Sequence, residues 1–445
     1  MSLVPPLGAN RRLSLPKAEE RTLANGLTVI AIRRSAVPLV ELRLNIPLGS
    51  ARLSHAQVAR TALLSQTLFS GTATMSTVDI AAELQVVGGA LNAGADPDRL
   101  QISGNALRSG LDRILEILAE VLTGAAYPAG EVTTERERLA DRIQVALSQP
   151  ASMARIALLR RVYGTHPYAL QTPGPEEVRS LAPGALRRLH ADRVQPAGAH
   201  LVIVGDVVPA KAIDAAEAAL SSWDGTGHQV RTPKTPALEP GPLTLVDRPD
   251  AVQSSMRIAL PAVPRTHPDH ATLQLANLVF GGYFSSRWVE NIREDKGYTY
   301  GPHSQIEHSL AGSKLVVSAE VATEVTAPAL LETYYELGRL ATLPPKEDEL
   351  EQARQYALGT LQLGMSTQAG LAGLASTYAG FGLRLDYLVE HAARLAKATR
   401  DDVAAAAARY LAPANAATVV LGDAAKVESS LAALQPVERA ELALE

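Results

Sequence analysis

The spacing of hydrophobic residues along the first half of the chain predicts strands and helices in alternation. Apolar residues alternate with polar or turn residues over 27–32 and 40–46, after the turn signal Asn25-Gly26, which is typical of hairpin strands. Shorter runs predict further strands at 91–95, 99–106 and 201–204. Apolar residues that recur every three or four positions predict helices at 56–69, 77–87, 111–122, 132–147, 151–163, 184–193 and 210–220.

The pattern of the first half starts again in the second half. The last predicted strands of the two halves read His200-Leu-Val-Ile-Val-Gly-Asp206 and Ala417-Thr-Val-Val-Leu-Gly-Asp423, and each lies between two helices. Earlier elements also correspond, with 40–46 matching 256–260, 56–69 matching 269–280 and 132–147 matching 346–363. Self-similarity of this kind indicates a duplicated unit. We therefore predict two homologous domains, with two unrelated domains that share a Gly-Asp ending as the alternative.

A segment without helix or strand pattern separates the two repeats. Residues 224–242 are rich in Gly, Pro and Thr, which favour turns and linkers. We place the first domain at 1–223, the linker at 224–242 and the second domain at 243–445. Because strands occur in runs with helices between and after them, we predict an α+β fold in which each half has an antiparallel sheet with helices packed on one side.

Length and composition agree with two ordinary globular domains. The chain has 445 residues, of which 47% are hydrophobic and 20% charged, whereas one domain typically has about 100 to 200 residues. With 42 basic and 46 acidic residues, a net charge of -4 and no long run of one sign, the sequence lacks the footprint of a nucleic-acid-binding protein. The absence of cysteine excludes disulfides and thiolate zinc sites.

The first residues and the hydropathy of the chain bear on its location. Residues 1–20 have no apolar run of the length that a signal peptide needs, so we interpret them as an extended arm. No run of about 18 apolar residues indicates a membrane span, and we expect no membrane partner. The expected location is the cytoplasm.

The best catalytic candidates lie within residues 280–301. Gly281 and Gly282 interrupt an apolar helical run and predict a sharp break, since glycine adopts conformations that other residues resist. Ser285 or Ser286 can then cap a short helix. The apolar side of this predicted helix consists of Trp288, Val289 and Ile292.

The end of the short helix brings two side chains of interest towards each other. Gly297 stands where the helix would stop, and Arg293 lies in its last turn. Tyr298 and Tyr300 follow with a spacing of two, which on a strand puts both on one face. We therefore expect a guanidinium and a phenol to meet here. The alternative is that Tyr300 is an ordinary strand aromatic and that Arg293 pairs on a solvated face with Glu290 or Glu294.

This segment resembles the C-terminal signature of the pitrilysin/insulinase superfamily, the M16 peptidases, and in particular of the bacterial heterodimeric M16B type. In that family a Gly-Gly-x-x-Ser-Ser-Arg stretch leads into an arginine and a tyrosine, and Arg293 and Tyr300 match those positions. The resemblance covers nearly the whole chain and implies two M16-type α/β-roll domains that form one half of a clamshell. It also implies that Arg293 and Tyr300 are catalytic and reach across the clamshell to a peptide at a zinc site. We expect further substrate contacts at Gly281, Gly282, Ser285 and Tyr298.

The family's zinc ligands are absent from the matching positions of this chain. Residues 69–72 resemble a family landmark that follows a His-x-x-Glu-His helix, and counting back from it places the motif at Ala62, Ser65 and Gln66. The pair Glu135-Arg136 likewise puts Arg142 at the position of the third ligand. Alanine has no donor, serine is a weak base, glutamine is a poor zinc ligand and arginine is a permanent cation. We therefore expect no metal or other cofactor in this chain.

The histidines and one strand offer further candidates. None of the 10 histidines forms a helical metal motif. His267 and His270 flank a proline, and His303 and His308 lie on a predicted strand, so we expect both pairs at the surface. Residues 88–93 resemble the edge strand to which the family's substrates pair by β-augmentation, with a purely structural role as the alternative.

The loss of one motif and the retention of the other favour a division of roles between two chains. Our interpretation is the non-zinc subunit of a heterodimeric M16B metallopeptidase that processes peptides or leader peptides. The partner would be a zinc-binding M16B homologue, and activity is expected only in the complex. The alternatives are a catalytically inert scaffold, like the core-type M16 homologues of respiratory complexes, and a free-standing peptide-binding pseudoenzyme.

Overall fold

Each half of the chain folds around one six-stranded sheet. The computed structural model describes residues 13–49, 54–225 and 232–442. The strands of the first sheet are β1 (Ala18–Thr22), β2 (Thr28–Arg33), β3 (Leu39–Pro47), β4 (Ala90–Ala95), β5 (Arg99–Leu107) and β6 (His200–Gly205). Those of the second sheet are β7 (Leu243–Asp247), β8 (Gln253–Pro261), β9 (His303–Ser309), β10 (Gly312–Ala322), β11 (Ala417–Gly422) and β12 (Val437–Ala440).

Helices connect and cover the strands of both halves. The first half contains α1 (His55–Thr67), α2 (Thr77–Val86), α3 (Leu111–Gly124), α4 (Ala129–Ser148), α5 (Pro150–Tyr163), α6 (Pro175–Arg179), α7 (Pro183–Arg193) and α8 (Pro209–Leu220). The second half contains α9 (His270–Asn277), α10 (Arg287–Val289), α11 (Thr326–Thr342), α12 (Glu347–Ser366), α13 (Gln368–Gly380), α14 (Tyr387–Lys397), α15 (Arg400–Tyr410) and α16 (Ala424–Ala432). Within the three described ranges, no helix has both the length and the apolar character that a membrane crossing requires.

The two sheets repeat one order of strands, as the duplicated sequence pattern predicts. The order is β1-β2-β6-β3-β5-β4 in the first sheet and β12-β7-β11-β8-β10-β9 in the second. The outer strand differs, since β1 runs antiparallel to β2 whereas β12 runs parallel to β7. The fold is α+β, but both sheets are mixed rather than antiparallel, because β2 pairs with β6 and β7 with β11 in parallel.

The predicted hairpin of 27–32 with 40–46 is wrong. These segments form β2 and β3, but β6 lies between them, parallel to β2 and antiparallel to β3. A strand that is apolar on both faces is favoured in the centre of a sheet rather than at its edge. The side chains of β6 meet this condition, since full burial extends over Leu201, Val202, Ile203 and Val204.

The predicted arm and linker lie only partly within the described residues. Residues 1–12 of the arm and 226–231 of the linker lie outside them. The rest of the arm is not merely extended, since it forms β1, and the turn at Asn25-Gly26 joins β1 to β2 with Gly26 at a φ of 87°. The described linker residues 232–242 contain neither helix nor strand.

Each sheet carries the helices of its own half on one face and a helix of the other half on the second face. Helix α5 of the first half packs on the second sheet, in a buried cluster that includes Leu158, Ala259, Val419 and Leu421. Helix α13 of the second half packs on the first sheet, in a cluster that includes Ile32, Val202, Val204 and Leu371. The expectation of helices on one side only is therefore wrong, because central strands that are apolar on both faces need cover on both.

Buried polar contacts also join the halves. Asp98, between β4 and β5, accepts hydrogen bonds from Tyr168 Oη at 2.6 Å and from the N–H of Leu310 at 3.0 Å. Glu307 of β9 accepts a hydrogen bond from Arg155 of α5 at 2.8 Å. Burial raises the pKa of Glu307, but Arg155 and a neighbouring lysine outweigh it and lower the pKa to about 2. The two halves thus pack as one unit.

Candidate functional site

Residues 280–301 begin where α9 passes into a π-helical turn. This turn covers Leu278–Gly282, so the break that we expected at the two glycines comes at Tyr283, with φ −152° and ψ 171°. The two glycines are needed for close packing rather than for a break in the helix. A Cβ on Gly281 would lie 2.8 Å from the Trp288 ring, and one on Gly282 would lie 2.7 Å from Asn277 Nδ2. π-Helical turns are rare in proteins, and those that do occur are often found at functional sites.

A short helix that starts after Ser286 follows, as predicted. Ser286 is the N-cap residue of α10, which continues as a second π-helical turn over Glu290–Asp295. Trp288 and Ile292 are fully buried, and Gly297 follows the helix with a φ of 64°. The Ser286 hydroxyl donates to the carbonyl oxygen of Tyr283 at 2.6 Å and does not cap the helix.

Two side chains anchor this helix to its neighbours. Arg287 donates two hydrogen bonds to the carboxylate of Glu349 at the start of α12, at 2.7 and 2.6 Å. Burial raises the pKa of Glu349, but the bonds from Arg287 outweigh it and hold the pKa below its ordinary value. Trp288 Nε1 donates to Thr333 Oγ1 of α11 at 3.0 Å. The segment is therefore held by contacts to two helices.

The structure places Arg293 beside Tyr300. The guanidinium carbon of Arg293 lies 5.2 Å from the centroid of the Tyr300 ring. Arg293 Nε also lies 3.4 Å from Glu294 Oε1, so one of the two alternative ion pairs is present as well. The Tyr300 side chain is 87% exposed, and no hydrogen-bond partner of its hydroxyl occurs among the described residues. A cation and a free phenol hydroxyl thus face solvent together.

The route by which Tyr300 reaches this position differs from our expectation. Tyr298 and Tyr300 do not share a strand face, because β9 begins only at His303. Pro302 has no N–H for the strand ladder, which delays the start of pairing with β10. Tyr298 is half-buried against the core of the second half, whereas Tyr300 points outwards.

The residues that we expected to contact substrate also differ in exposure. Ser285 is exposed on the turn before α10, whereas Gly281 is buried and Gly282 partly buried behind it. Sequence reasoning missed Phe284, whose ring centroid lies 4.3 Å from the guanidinium carbon of Arg293. The only sequence signal for this residue was an aromatic next to the expected break. Arg293 is therefore held between the rings of Phe284 and Tyr300.

The four positions that match the family's zinc ligands and base are Ala62, Ser65, Gln66 and Arg142, and they contact one another in two pairs. Arg142 of α4 donates from Nη2 to Gln66 Oε1 of α1 at 3.0 Å, and Ser65 Oγ donates to the carbonyl oxygen of Ala62 at 2.8 Å. A guanidinium on the Gln66 oxygen repels a metal cation, so these residues do not fit zinc. In the described part of the chain, no group of three or more His, Asp or Glu residues could hold a metal ion.

Two histidines that we expected at the surface lie inside the second half. His270 is buried, and its Nε2 atom lies 3.3 Å from Nε2 of the partly buried His308. The ring of His391 packs against His270 with a centroid distance of 4.8 Å. Burial, aided by neighbouring cations, lowers the pKa of His270 to about 2, of His308 to about 3 and of His391 to about 4. His303 is exposed, as expected.

The strand that resembles the family's substrate-pairing edge is an edge strand. Residues 90–95 form β4, which ends the order of the first sheet. Ala90 and Asn92 are exposed on it. Its outer side therefore presents backbone groups that a further strand can pair with.

Comparisons with known proteins match both halves to models of one peptidase family. The model described as insulinase (peptidase family M16) matches residues 28–176. The model described as peptidase M16 inactive domain matches residues 180–356. The boundary between the two matches falls within α6 of the first half. The second match ends within α12 of the second half.

Individual relatives extend the match along the chain. An uncharacterized zinc protease of Mycobacterium tuberculosis is 26% identical over 407 residues, which are 90% of this chain and 92% of that protein. One from Mycobacterium leprae is 26% identical over 290 residues, 64% of this chain and 65% of that protein. The crystal structure of a peptidase M16 inactive domain from Pseudomonas fluorescens has the same fold, with a TM-score of 0.82, 22% identity and coverage of 91% of this chain and 98% of that one.

Proposed function

This chain belongs to the insulinase family of peptidases, family M16, and from that premise we propose that it is the non-zinc subunit of a cytoplasmic heterodimeric M16B metallopeptidase. In this proposal the chain supplies Arg293 and Tyr300, and a zinc-binding M16B homologue supplies the metal. The substrate is a peptide or leader peptide. Cleavage requires both subunits.

The pairing of the exposed Tyr300 with the partly buried Arg293 carries the proposal. Tyr300 contributes little to the core, since its side chain is 87% exposed. Nevertheless the segment that leads to it is fixed by the Arg287–Glu349 pair and by two glycines without room for a side chain. A rigid frame around a solvent-facing phenol is expected where the phenol binds something.

The two side chains suit the stabilisation of a peptide bond under attack. The Tyr300 hydroxyl can donate a hydrogen bond to the oxygen that becomes negative, and the N–H groups of Arg293 can donate to a neighbouring carbonyl. Removal of one such preorganised donor typically lowers turnover by about a hundredfold to a thousandfold. The zinc and its water belong to the partner subunit, and the residues of this chain act on the peptide alone.

The first half supports the division of roles. Relatives of this chain carry the name zinc protease, whereas Gln66 here accepts a hydrogen bond from Arg142 at the matching positions. A chain with this pair at the family's metal position needs a partner for metal-dependent cleavage.

An inert scaffold is the second candidate, and the ion pair of Arg293 favours it. Arg293 Nε already lies 3.4 Å from Glu294, and its guanidinium contacts two rings, so the side chain is satisfied without a substrate. Both candidates predict assembly with an M16 homologue. They differ in whether this chain changes the rate of cleavage.

Purification from the native host with identification of bound proteins and metal analysis tests the proposal. We expect co-purification with an M16 homologue that carries His-x-x-Glu-His, and no stoichiometric zinc on the isolated chain. Titration of this chain into the homologue should then create peptidase activity. About one tightly held zinc per isolated chain would contradict the proposal. Equal activity of the homologue alone and of the equimolar mixture would leave the scaffold.

A further inference from the structure

A polar cavity lies where the first sheet meets α13 of the second half. Strands β3, β4 and β5 form one wall of this cavity and α13 forms the other. Its volume of about 380 Å³ lies in the range of roughly 300–1,000 Å³ that is usual for small-molecule sites. We call it the junction cavity, and its polar lining includes Arg43, Asn92, Arg99, Gln101, Ser376 and Thr377.

The alternation of side chains along the strands accounts for the polar wall. Leu42 and Leu44 of β3 face the core of the first half, whereas Arg43 and Asn45 line the junction cavity. Gln101 of β5 stands opposite Asn45 and lies on the same face of the sheet. Helix α13 packs on β6 and β3, so the cavity lies beside it over the outer strands.

The duplicated fold shows what joins sheet and helix at the equivalent place in the second half. Arg155 of α5 and Lys314 of β10 contact the two carboxylate oxygens of Glu307, each at 2.8 Å. Lys314 Nζ also lies 5.0 Å from the centroid of the Tyr163 ring at the end of α5. One carboxylate thus bridges the second sheet and the helix that covers it.

The strand registers make Arg99 the counterpart of Lys314. Arg99 stands opposite Pro47 of β3, and Lys314 stands opposite Pro261 of β8. Strands β3 and β8 occupy the same place in the order of their sheets. Like Lys314, Arg99 lies against an aromatic ring, with its guanidinium carbon 5.6 Å from the centroid of Phe381. The cation and its ring are therefore repeated in the first sheet.

The helical arginine of this arrangement is not repeated. Arg155 lies eight residues before Tyr163, and the residue eight positions before Phe381 is Gly373 of α13. A side chain on Gly373 would meet no atom within 4 Å. Gly373 lines the junction cavity, so the cavity occupies space that an arginine side chain fills in the second half.

The bridging carboxylate is also missing. Asp96 bonds to the carbonyl oxygen of Arg99 across the turn, and its carboxylate lies 3.2 Å from Arg99 Nε. None of its hydrogen bonds or ion pairs with described residues reaches α13. Within the described residues, neither Nη atom of Arg99 has a hydrogen-bond partner. The outer edge of this guanidinium is therefore free to bind an anion.

The charges around the junction cavity favour an anion as well. Arg43 pairs with Glu41 at 2.9 Å, outside the cavity lining, and no carboxylate is among the described residues that line it. Arg265 lies 5.4 Å from the centroid of the Phe381 ring and forms no ion pair with a described residue. Burial first, and then the guanidinium of Arg99, lower the pKa of Arg265. An anion bound to Arg99 would offset this repulsion between two cations.

We propose that the junction cavity binds the carboxylate of a small anionic ligand, which bridges Arg99 and α13 as Glu307 bridges Lys314 and α5. The two Nη atoms of a guanidinium form a fork that matches the two oxygens of a carboxylate. The amide of Asn92 and the hydroxyl of Thr377 can bind further polar groups of the ligand. The inference goes beyond the proposed function, because it requires neither a partner subunit nor zinc.

Calorimetric titration of the isolated full chain at constant ionic strength tests this inference. The first pair of probes is succinate and its neutral amide, succinamide. The second pair is a Gly/Ser pentapeptide with blocked ends and a central Glu or a central Gln. We expect an acid to bind about 10- to 100-fold more tightly than its amide, because hydrogen bonds to an ionised partner are worth that much.

The two pairs of probes distinguish the sources of the carboxylate. A preference for succinate alone identifies free small acids as the ligand class, whereas a preference for the Glu peptide identifies a peptide side chain. Equal binding of acid and amide in both pairs, or no binding of any probe, would overturn the inference.

Gly373→Glu supplies a carboxylate from within the chain. Arg155 reaches Glu307 from the equivalent position of α5, so a glutamate at 373 can reach Arg99. Glutamate also favours a helix more than glycine does, so α13 should persist. We expect this variant to lose the preference for the acid. Gly359→Glu on α12 is the matched control, because a side chain there also meets no atom within 4 Å, and it should keep the preference.

Arg99→Gln removes the cation and should abolish the preference in the same way, with circular dichroism as the check on folding. An unchanged preference in Gly373→Glu, or an equal loss in Gly359→Glu, would contradict a site at the junction cavity. Titration of the chain into the M16 homologue tests the heterodimeric peptidase separately, so either account can fail without the other.

Discussion

Arg293 lies closer to Phe284 than to Tyr300. The guanidinium carbon is 4.3 Å from the centroid of the Phe284 ring and 5.2 Å from that of the Tyr300 ring. A guanidinium within about 6 Å of a ring centroid is attracted to the ring face, by roughly 0.5–1 kcal/mol at exposed sites. Phe284 therefore positions Arg293, although it does not donate or accept a hydrogen bond at the site.

Phe284→Leu tests this positioning role. Leucine keeps an apolar side chain but removes the ring face, so Arg293 should become more mobile. We expect KM of the assembled complex to rise about two- to fivefold, with a smaller change in kcat. Phe284→Tyr should restore the KM of the wild type, since it restores the ring. An unchanged KM in Phe284→Leu would show that Tyr300 and Glu294 hold Arg293 without the Phe284 ring.

Gly281→Ala tests the frame of the site. A Cβ there would lie 2.8 Å from the Trp288 ring and 3.0 Å from Ser304 Oγ. Overpacking of this kind typically lowers the free energy of unfolding by about 1–3 kcal/mol. Gly301→Ala is the matched control, because a Cβ at Gly301 meets no atom within 4 Å. Urea unfolding of the isolated chain should separate the two variants, and equal midpoints would contradict the close packing.

Local patterns of the sequence were sufficient to predict much of the fold. Helix α1 was expected at 56–69 and runs over His55–Thr67, because its apolar period lies in contiguous residues. The position of β6 between β2 and β3 was not predictable in this way, since its partners lie far away in sequence. The same holds for α5 and α13, because nothing in their local sequence indicates that each covers the sheet of the other half.

The candidate site was predictable to a similar degree. The spacing of Arg293 and Tyr300 after a short helix was enough to expect their meeting. The prediction that a strand carries Tyr300 was wrong, because Pro302 delays the start of β9 until His303. Phe284 was missed because only the backbone turn at Tyr283 directs its ring towards Arg293.

The buried histidines predict how stability depends on pH. Burial first, and then neighbouring histidines and the guanidinium of Arg265, lower the pKa of His270 to about 2 and that of His308 to about 3. Burial, followed by Arg394 and Arg265, lowers the pKa of His391 to about 4. An unfolded histidine has a pKa of about 6.5, so the unfolded chain takes up protons below that pH that the folded cluster does not. The stability from this cluster is therefore complete above about pH 6.5 and falls as the pH drops below it, by about 1.4 kcal/mol per pH unit and histidine.

His391→Phe checks this dependence. Phenylalanine keeps the stacking on Tyr387, whose ring is 5.6 Å from that of His391 with 9° between the planes. We expect the loss of unfolding free energy between about pH 6.5 and pH 5.5 to shrink by about 1 kcal/mol relative to the wild type. His303→Gln, at an exposed position of β9, should leave the loss unchanged. An undiminished loss in His391→Phe would mean that the cluster takes up protons while folded.

Tyr300→Phe in the assembled complex tests the central claim most directly. The substitution keeps the ring beside Arg293 and deletes the hydroxyl that we propose donates to the developing oxyanion. We predict that turnover falls by about a hundredfold or more while peptide affinity changes less, because this hydrogen bond is strongest in the transition state. Zinc content and subunit assembly must equal those of the wild type. Turnover at the level of the wild type in an intact complex would contradict a catalytic role for this chain.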